Sequence, residues 1–559
     1  MSATTTTNNT SNDVLMKPET AQKCQSPPPN VSKDAYCFDL KFPRDIFYYA
    51  NKMDLFENFQ IAVKLAKPVS KSELFTALQK LLFKFPLLAS TVYDGEDETV
   101  KPRTIGPRSV IYFESVYEHR KESFGANPFF DRGLLKELGA RTFSYDADSG
   151  DALFKVFYFE GTQYLSLMVD HTLFDAATVS IYIKQLVENI NYVTAEEIAL
   201  TDSLFKDAEK ENSKVKLFDF DRDAEGLEAR KQGYWLDFFD IAPKESSTAT
   251  VLGAVKFLLG VPIIGSGLKL LVSKKAEKEM FADPSLVTFD QSKKWVSRKT
   301  VGKHSSTSAY DLALLNIPTE TLNKVLVLCR EHKTTLNTLL KILYLMSINK
   351  VAPNVCAGKF VKVNTIVDLR RVAGDAILHS TYLTDKAKSN ETKFYEGINV
   401  VFINYYIEPL RKFSWDLIKK YKDYFHRTIQ SSTLAAAAYK MYTFVDGIKL
   451  INLLYGVKRQ TFFLSSNLGF IHVRKYSDDN ASNQNDIKDL IFMSVPGAVY
   501  GECGLTSVST SEGGLNLFVM VSEEDTKANF DAFLHTFEKS IYEVAETGKF
   551  EYSLDSNIN

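Results

Sequence analysis

Segments of strand length alternate with segments of helical period on both sides of a breaker-rich apolar stretch. That alternation limits the chain to a mixed fold of two lobes. In the first half, residues 58–69 (NFQIAVKLAKPV) have the content of a strand. Ser70 and Glu73 follow with the S-x-x-E spacing of a capping box. Leu74, Ala77, Leu78, Leu81 and Leu82 then recur at helical spacing. This helix must stop before Phe85-Pro86, because proline disfavours helical backbone in the residue preceding it. Residues 153–160 (LFKVFYFE) and 164–170 (YLSLMVD) read as strands joined by the hairpin-sized turn Gly161-Thr162-Gln163. The second strand runs directly into His171, and from Asp175 onward Val179, Ile183 and Leu186 mark a helix.

The second half repeats the mixture without a repeat period. Strands are expected at 309–317, 360–369, 398–407, 462–465, 491–499, 505–509 and 515–521. Helices are expected at 319–332, 335–350, 415–430 and 529–546, and Gly513-Gly514 reads as a hairpin turn. The fold class is therefore α/β (α+β), with two similar lobes, each a mixed β-sheet with flanking helices. A chain of 559 residues is too long for one ordinary core. The division expected is a disordered tail at 1–35, a first lobe at 36–240, a crossover at 241–304 and a second lobe at 305–559. The tail is rich in Thr, Asn, Ser and Pro. Residues 206–231 are charge-dense and read as a solvated helix or loop. Residues 250–272 are strongly apolar, but Lys256, Lys269, Gly260, Pro262, Gly265 and Gly267 interrupt them, which argues against a bilayer span. Two readings stand: a crossover packed on the core, or an interfacial segment with Lys274 and Lys275 at its edge.

Composition narrows the functional classes. With 45% hydrophobic residues, global disorder is excluded. The 67 basic and 69 acidic residues nearly cancel, so no charge footprint points to nucleic acid. Cys24, Cys37, Cys329, Cys356 and Cys503 are scattered, which argues against a disulfide framework or a zinc site and for a reducing compartment. The opening MSATTTTNNTSND lacks the basic start and apolar run of a signal peptide. A cytoplasmic protein is expected, with peripheral contact at the endoplasmic reticulum or lipid droplets if residues 250–272 are interfacial.

One motif carries chemistry. His171-Thr172-Leu173-Phe174-Asp175 is an H-x-x-x-D, found at one of the eight His. Chance alone yields about half a match in such a chain, but this His ends an apolar strand and this Asp opens a helix. A neutral imidazole is a suitable general base at cellular pH and can take a proton from a hydroxyl or amine attacking an acyl carbonyl. The plain alternatives are an Asp175 that merely caps a helix and a His171 bonded within the core. Asp368-Leu369-Arg370-Arg371 ends a strand, and either arginine can clamp Asp175 or be a surface pair. Ser465, Ser466 and Asn467 can donate to a developing oxyanion or form an ordinary polar turn. G-x-x-x-x-G-K-[ST], G-x-S-x-G and His-x-x-x-His are all absent.

In this order, His171-x-x-x-Asp175, Asp368-Leu369-Arg370-Arg371 and Ser466-Asn467-Leu468-Gly469 resemble the CoA-dependent acyltransferase superfamily. That superfamily includes chloramphenicol acetyltransferase, plant H-x-x-x-D acyltransferases and peptide-synthetase condensation domains. The likeness is greatest to the fungal alcohol O-acetyltransferase family, with Lys84–Leu88 (KFPLL) as a further shared segment, and it spans roughly residues 36–546. The resemblance implies two chloramphenicol-acetyltransferase-like lobes with an active-site tunnel between them. It implies His171 as general base and Asp175 in a structural salt bridge with Arg370 or, next, Arg371. It implies Ser465, Ser466 or Asn467 at the oxyanion, direct attack without an acyl-enzyme, no metal and no permanently bound cofactor. Acetyl-CoA is the implied co-substrate and a monomer the expected state. The acceptor is an alcohol, giving ester biosynthesis, or alternatively a lipophilic, sphingoid-like amine. A catalytically silent paralogue that binds CoA or lipid is the third reading. Ala176 stands where the family usually has Gly, which matters if that position needs positive φ and is harmless if it opens a helix. Asp170 stands where some relatives have a second His.

Overall fold

The computed structural model describes residues 37–40, 43–52, 56, 58–93, 104–228, 310–368, 397–429, 461–472, 484–495 and 501–553. The expected tail at 1–35, the crossover at 241–304 with its apolar stretch, and Arg370 and Arg371 lie outside the described residues.

The first half opens with β1 (Phe38–Asp39), α1 (Arg44–Lys52) and β2 (Phe59–Leu65). Helix α2 (Lys71–Lys84) follows, and both halves of the expected capping box between Ser70 and Glu73 form. It ends at Phe85, as the following proline requires. Short elements come next: β3 (Ser90–Tyr93), β4 (Thr104–Pro107), β5 (Val110–Tyr112), α3 (Phe113–Val116), β6 (Tyr117–Arg120) and α4 (Arg132–Gly139). The hairpin of β7 (Phe154–Phe159) and β8 (Tyr164–Val169) leads to α5 (Ala176–Asn191) and α6 (Ala195–Glu211). The charge-dense region then yields a short strand as well as helix, β9 (Lys216–Asp219) before α7 (Phe220–Glu228). Burial of Leu217 and Phe218 against β5 accounts for a strand that charge alone conceals.

The second half contains β10 (Asp311–Ile317), α8 (Thr319–Glu331), α9 (Leu336–Val351), α10 (Pro353–Cys356), β11 (Val361–Asp368), β12 (Val400–Ile407) and α11 (Trp415–Ile429). It closes with β13 (Thr461–Phe470), β14 (Ile487–Ser494), β15 (Gly501–Thr510), β16 (Gly514–Val521), α12 (Glu524–Ala528) and α13 (Phe530–Thr547).

Two mixed sheets dominate. The first runs β14-β2-β8-β7-β6, and the second runs β10-β16-β15-β13-β11-β12. In the first, only β6 and β7 are parallel; in the second, β13 is parallel to both β11 and β15. Strand β14 comes late in the chain, in the stretch assigned to the second lobe, yet it pairs with β2 across Ile487–Leu65 to Ser494–Phe59. The lobes therefore share a strand.

Every residue of β8 is buried, because both faces of its sheet are covered. Leu165, Leu167 and Val169 enter the first-lobe core with α2 and α5. Tyr164 and Met168 enter a separate cluster with Phe518 and Met520 of the second sheet. The second lobe has its own core, built on Leu339, Leu343, Tyr344 and Phe463. Among the described residues, no helix is long and apolar enough to cross a membrane.

Candidate active site

The motif sits where the first sheet ends and both lobes meet. Asp175 is the N-cap of α5, its Oδ1 accepting from the Thr178 amide at 2.9 Å. Its other oxygen accepts from the Asn399 backbone amide of the second lobe at 2.8 Å. Thr178 Oγ1 donates to the Gly397 carbonyl at 2.9 Å. Asp175 is thus both a helix cap and a clamp between lobes. Gly397 has φ +91°, a backbone conformation that strains residues carrying a Cβ, so glycine suits this loop. Ala176 opens α5 with no positive φ, so the missing family glycine places no backbone demand on this chain.

His171 is caged by three phenylalanines. Phe47 of α1 stacks on its ring at 4.0 Å between centroids with planes 12° apart. Phe59 of β2 tilts against it at 4.8 Å, and Phe56 meets it edge-on at 5.2 Å. Nδ1 is buried and has no hydrogen-bond partner among the described residues. The residue as a whole keeps partial exposure. Desolvation pushes the imidazole down to about 4, outweighing the Asp175 carboxylate and the nearby backbone of His171 and Phe174, which raise it. The ring is consequently neutral at cellular pH.

Asp170, fully buried one residue before His171, gathers three bonds at its carboxylate. Its Oδ1 accepts from the Thr172 amide at 2.7 Å and from Asn51 Nδ2 of α1 at 3.1 Å. Its Oδ2 accepts from the Tyr145 hydroxyl at 2.7 Å, and that hydroxyl also meets Thr172 Oγ1 at 2.9 Å. Burial raises its carboxyl to about 6, against the bonds from Thr172 and Tyr145 and the charge of Arg108. Arg108, itself buried, donates to the carbonyls of Ser144 and Asp146 and so pins the loop carrying Tyr145.

The polar segment of β13 divides. Ser465 pairs in register with Thr365, on the same face as Phe463 and the second-lobe core; its hydroxyl is buried without a partner among the described residues. Ser466 points to the opposite face by strand alternation. Asn467 sits at a bulge, where its Oδ1 accepts from the Gly469 amide at 2.6 Å and Gly469 takes φ +76°. Its amide NH2 remains able to donate. Leu468 and Ile471 pack in the first-lobe core, so this end of β13 lies against the first lobe. Among the described residues, no hydrogen bond joins these three side chains to His171.

Motif reasoning found His171 and Asp175 but missed Phe47, Phe56, Phe59, Asn51, Tyr145 and Asn399. Nothing local marks them, since a Phe-x-x-x-Asn on an amphipathic helix is ordinary. The expected Arg370 or Arg371 partner of Asp175 lies outside the described residues.

A search of curated protein sequences returns no match. Among solved structures, the chain is similar to the trichothecene 15-O-acetyltransferase TRI3 of Fusarium sporotrichioides, at 12% identity and a TM-score of 0.55, covering 93% of this chain and 99% of that one. It is similar to a point mutant of the starter condensation domain of rhizomide synthetase in complex with C8-CoA, at 8% identity and a TM-score of 0.54, covering 94% and 98%. It is also similar to the first condensation domain of the CDA synthetase, at 12% identity and a TM-score of 0.52, covering 93% and 99%. These likenesses establish the two-lobed chloramphenicol-acetyltransferase-like fold. The family model for alcohol acetyltransferase matches residues 44–219 and 268–541, which take in the His171 motif and both lobes, and the chain therefore belongs to the alcohol acetyltransferase family of acyltransferases.

Proposed function

We propose that the protein moves an acetyl group from acetyl-CoA to an alcohol, giving an ester and free CoA, with His171 as general base. The observation that carries this reading is the state of His171: neutral, sealed at Nδ1, caged by phenylalanines and clamped at the meeting of two lobes. With Nδ1 buried, Nε2 is the working nitrogen. It takes the hydroxyl proton as the alcohol oxygen attacks the thioester carbonyl. The tetrahedral intermediate collapses, the C–S bond breaks, and the proton passes from Nε2 to the departing sulfur. Asp175 exchanges no proton in this scheme; both its oxygens hold the turn, and Arg370, with Arg371 next, is its proposed cationic partner. Ser466 and Asn467 supply donors toward the oxyanion better than Ser465, whose hydroxyl faces the second-lobe core. Acetyl-CoA is a co-substrate, and binding of C8-CoA by a protein of the same fold supports a thioester of that kind. The phenylalanine cage favours an apolar acceptor, such as a medium-chain alcohol, over a strongly hydrated one.

The test is acetyl-CoA turnover by the purified chain, read as free thiol, against medium-chain alcohols and long-chain amines. Alcohol-dependent release is expected, and His171→Ala should lower kcat on the order of 100- to 10,000-fold. Release only with amines moves the product to an amide. Release untouched by His171→Ala removes the base assignment.

A further inference from the structure

The sequence carries Asp170 where the motif itself has no requirement, and the structure gives that carboxylate three hydrogen-bond partners. Its bonds reach three separate pieces of chain: the backbone of the His171 turn through Thr172, helix α1 through Asn51, and the loop after α4 through Tyr145. Helix α1 is the element that presents Phe47 to the imidazole. The helix is held to the same loop a second time, since Tyr48 packs edge-on against Tyr145 at 4.9 Å and Lys52 lies over the Tyr145 ring at 5.6 Å. The loop is in turn anchored by buried Arg108 and by the bond from Thr91 Oγ1 to the Tyr145 carbonyl. Helix α1 also sends Ile46, Phe47 and Ala50 into the second-lobe core.

We propose that Asp170 is a positioning residue that locks helix α1 and Tyr145 to the His171 turn and thereby keeps Phe47 face-on against the imidazole. A flat contact at 4.0 Å fixes the ring plane and shields one face from water. Losing the bond to Asn51 frees the last turn of α1, and the ring then gains both rotation and hydration. A reacting hydroxyl must lie within about 3 Å of the base nitrogen, so a small ring rotation is costly. This inference rests on His171 being the base, but its physical core, the state of the imidazole, is measurable without turnover.

The experiment uses the full-length protein with isotope-labelled histidine. The His171 resonance is assigned by its loss in His171→Ala and followed from pH 3.5 to 8 in wild type, Asp170→Ala, Asp170→Asn and Asn51→Ala. Wild-type His171 should titrate far below the ordinary 6.5. In Asp170→Ala it should move toward 6.5, kcat should fall at least tenfold, and KM should stay within about threefold. Asn51→Ala should shift titration and kcat in the same direction by a smaller amount, and Asp170→Asn, which can still accept from Thr172 and Asn51, should recover most of both. If Asp170→Ala does not fold, Asn51→Ala decides. A folded Asp170→Ala or Asn51→Ala with wild-type titration and wild-type kcat overturns the proposal, even if it melts earlier. A wild type inactive with every acceptor removes the proposed function, while the titration still reads the positioning role.

Discussion

An imidazole packed against phenylalanine resists protonation, because the cation cannot be hydrated there. That has a direct kinetic consequence for His171. A general base works only when unprotonated, so its acid limb follows its own pKa. With His171 near 4, kcat/KM should stay flat from pH 8 down to about 5 and fall only below that. The Phe47→Leu change removes the flat contact and should move the limb upward toward 6.5. Asp170 lies near 6 and is adjacent, so the profile should be repeated in Asp170→Asn, which cannot titrate there. A wild-type limb at 6.5 would show that the ring is hydrated. At this scale the sequence disclosed the two motif residues, since their identities and spacing are local. It did not disclose the cage, whose members lie more than a hundred residues upstream of His171.

Elements obeyed their local signals closely. The Ser70–Glu73 capping box formed, α2 stopped at its proline, and the β7–β8 hairpin turned where expected. Two departures have tertiary causes. Strand β13 runs on to Phe470, well past Ser465 where its pairing with β11 ends, because its parallel neighbour β15 continues the ladder through the bulge at Asn467 and Gly469. Strand β14 crosses to the first sheet, covering the edge of β2. An exposed strand edge and the uncovered apolar face of Phe157, Phe159 and Met168 are both aggregation hazards. Residues 1–240 made alone should therefore show no cooperative thermal transition and should bind a hydrophobic dye. A soluble fragment with a sharp melt would mean that β14 is dispensable to the first lobe.

At the scale of the molecule, two lobe cores are joined by a third cluster and by polar bonds centred on Asp489 of β14. That carboxylate accepts from Tyr164 of the first sheet at 3.0 Å and from Asn516 of the second at 2.6 Å. The second-lobe core also holds an amine. Lys341 of α9 is buried, donates to Thr365 Oγ1 at 2.7 Å and Tyr405 at 3.2 Å, and lies over the Phe425 ring at 5.1 Å. Burial lowers it from 10.5 to about 7. Between those values the unfolded chain holds a proton that the native chain lacks. Stability from this group is therefore full above about 10.5 and is lost as pH falls toward 7, by up to about 1.4 kcal/mol per pH unit. Urea melts at pH 7, 8 and 9 should show wild type gaining stability with pH, and Lys341→Met should lose that part of the slope. An unchanged slope would place the pH dependence elsewhere.

The sequence by itself determined the alternation of elements, the two-lobed mixed architecture and the pair His171 and Asp175, because propensity, capping, turn chemistry and motif spacing all act over a few residues. Tertiary structure alone decided that β14 serves the first sheet, that Asp175 reaches the Asn399 amide, that Phe47 stacks on the imidazole, and that Asp170 ties α1 to the His171 turn. Each of those depends on contacts between segments far apart in the chain, where one residue type can face many partners and only packing selects among them.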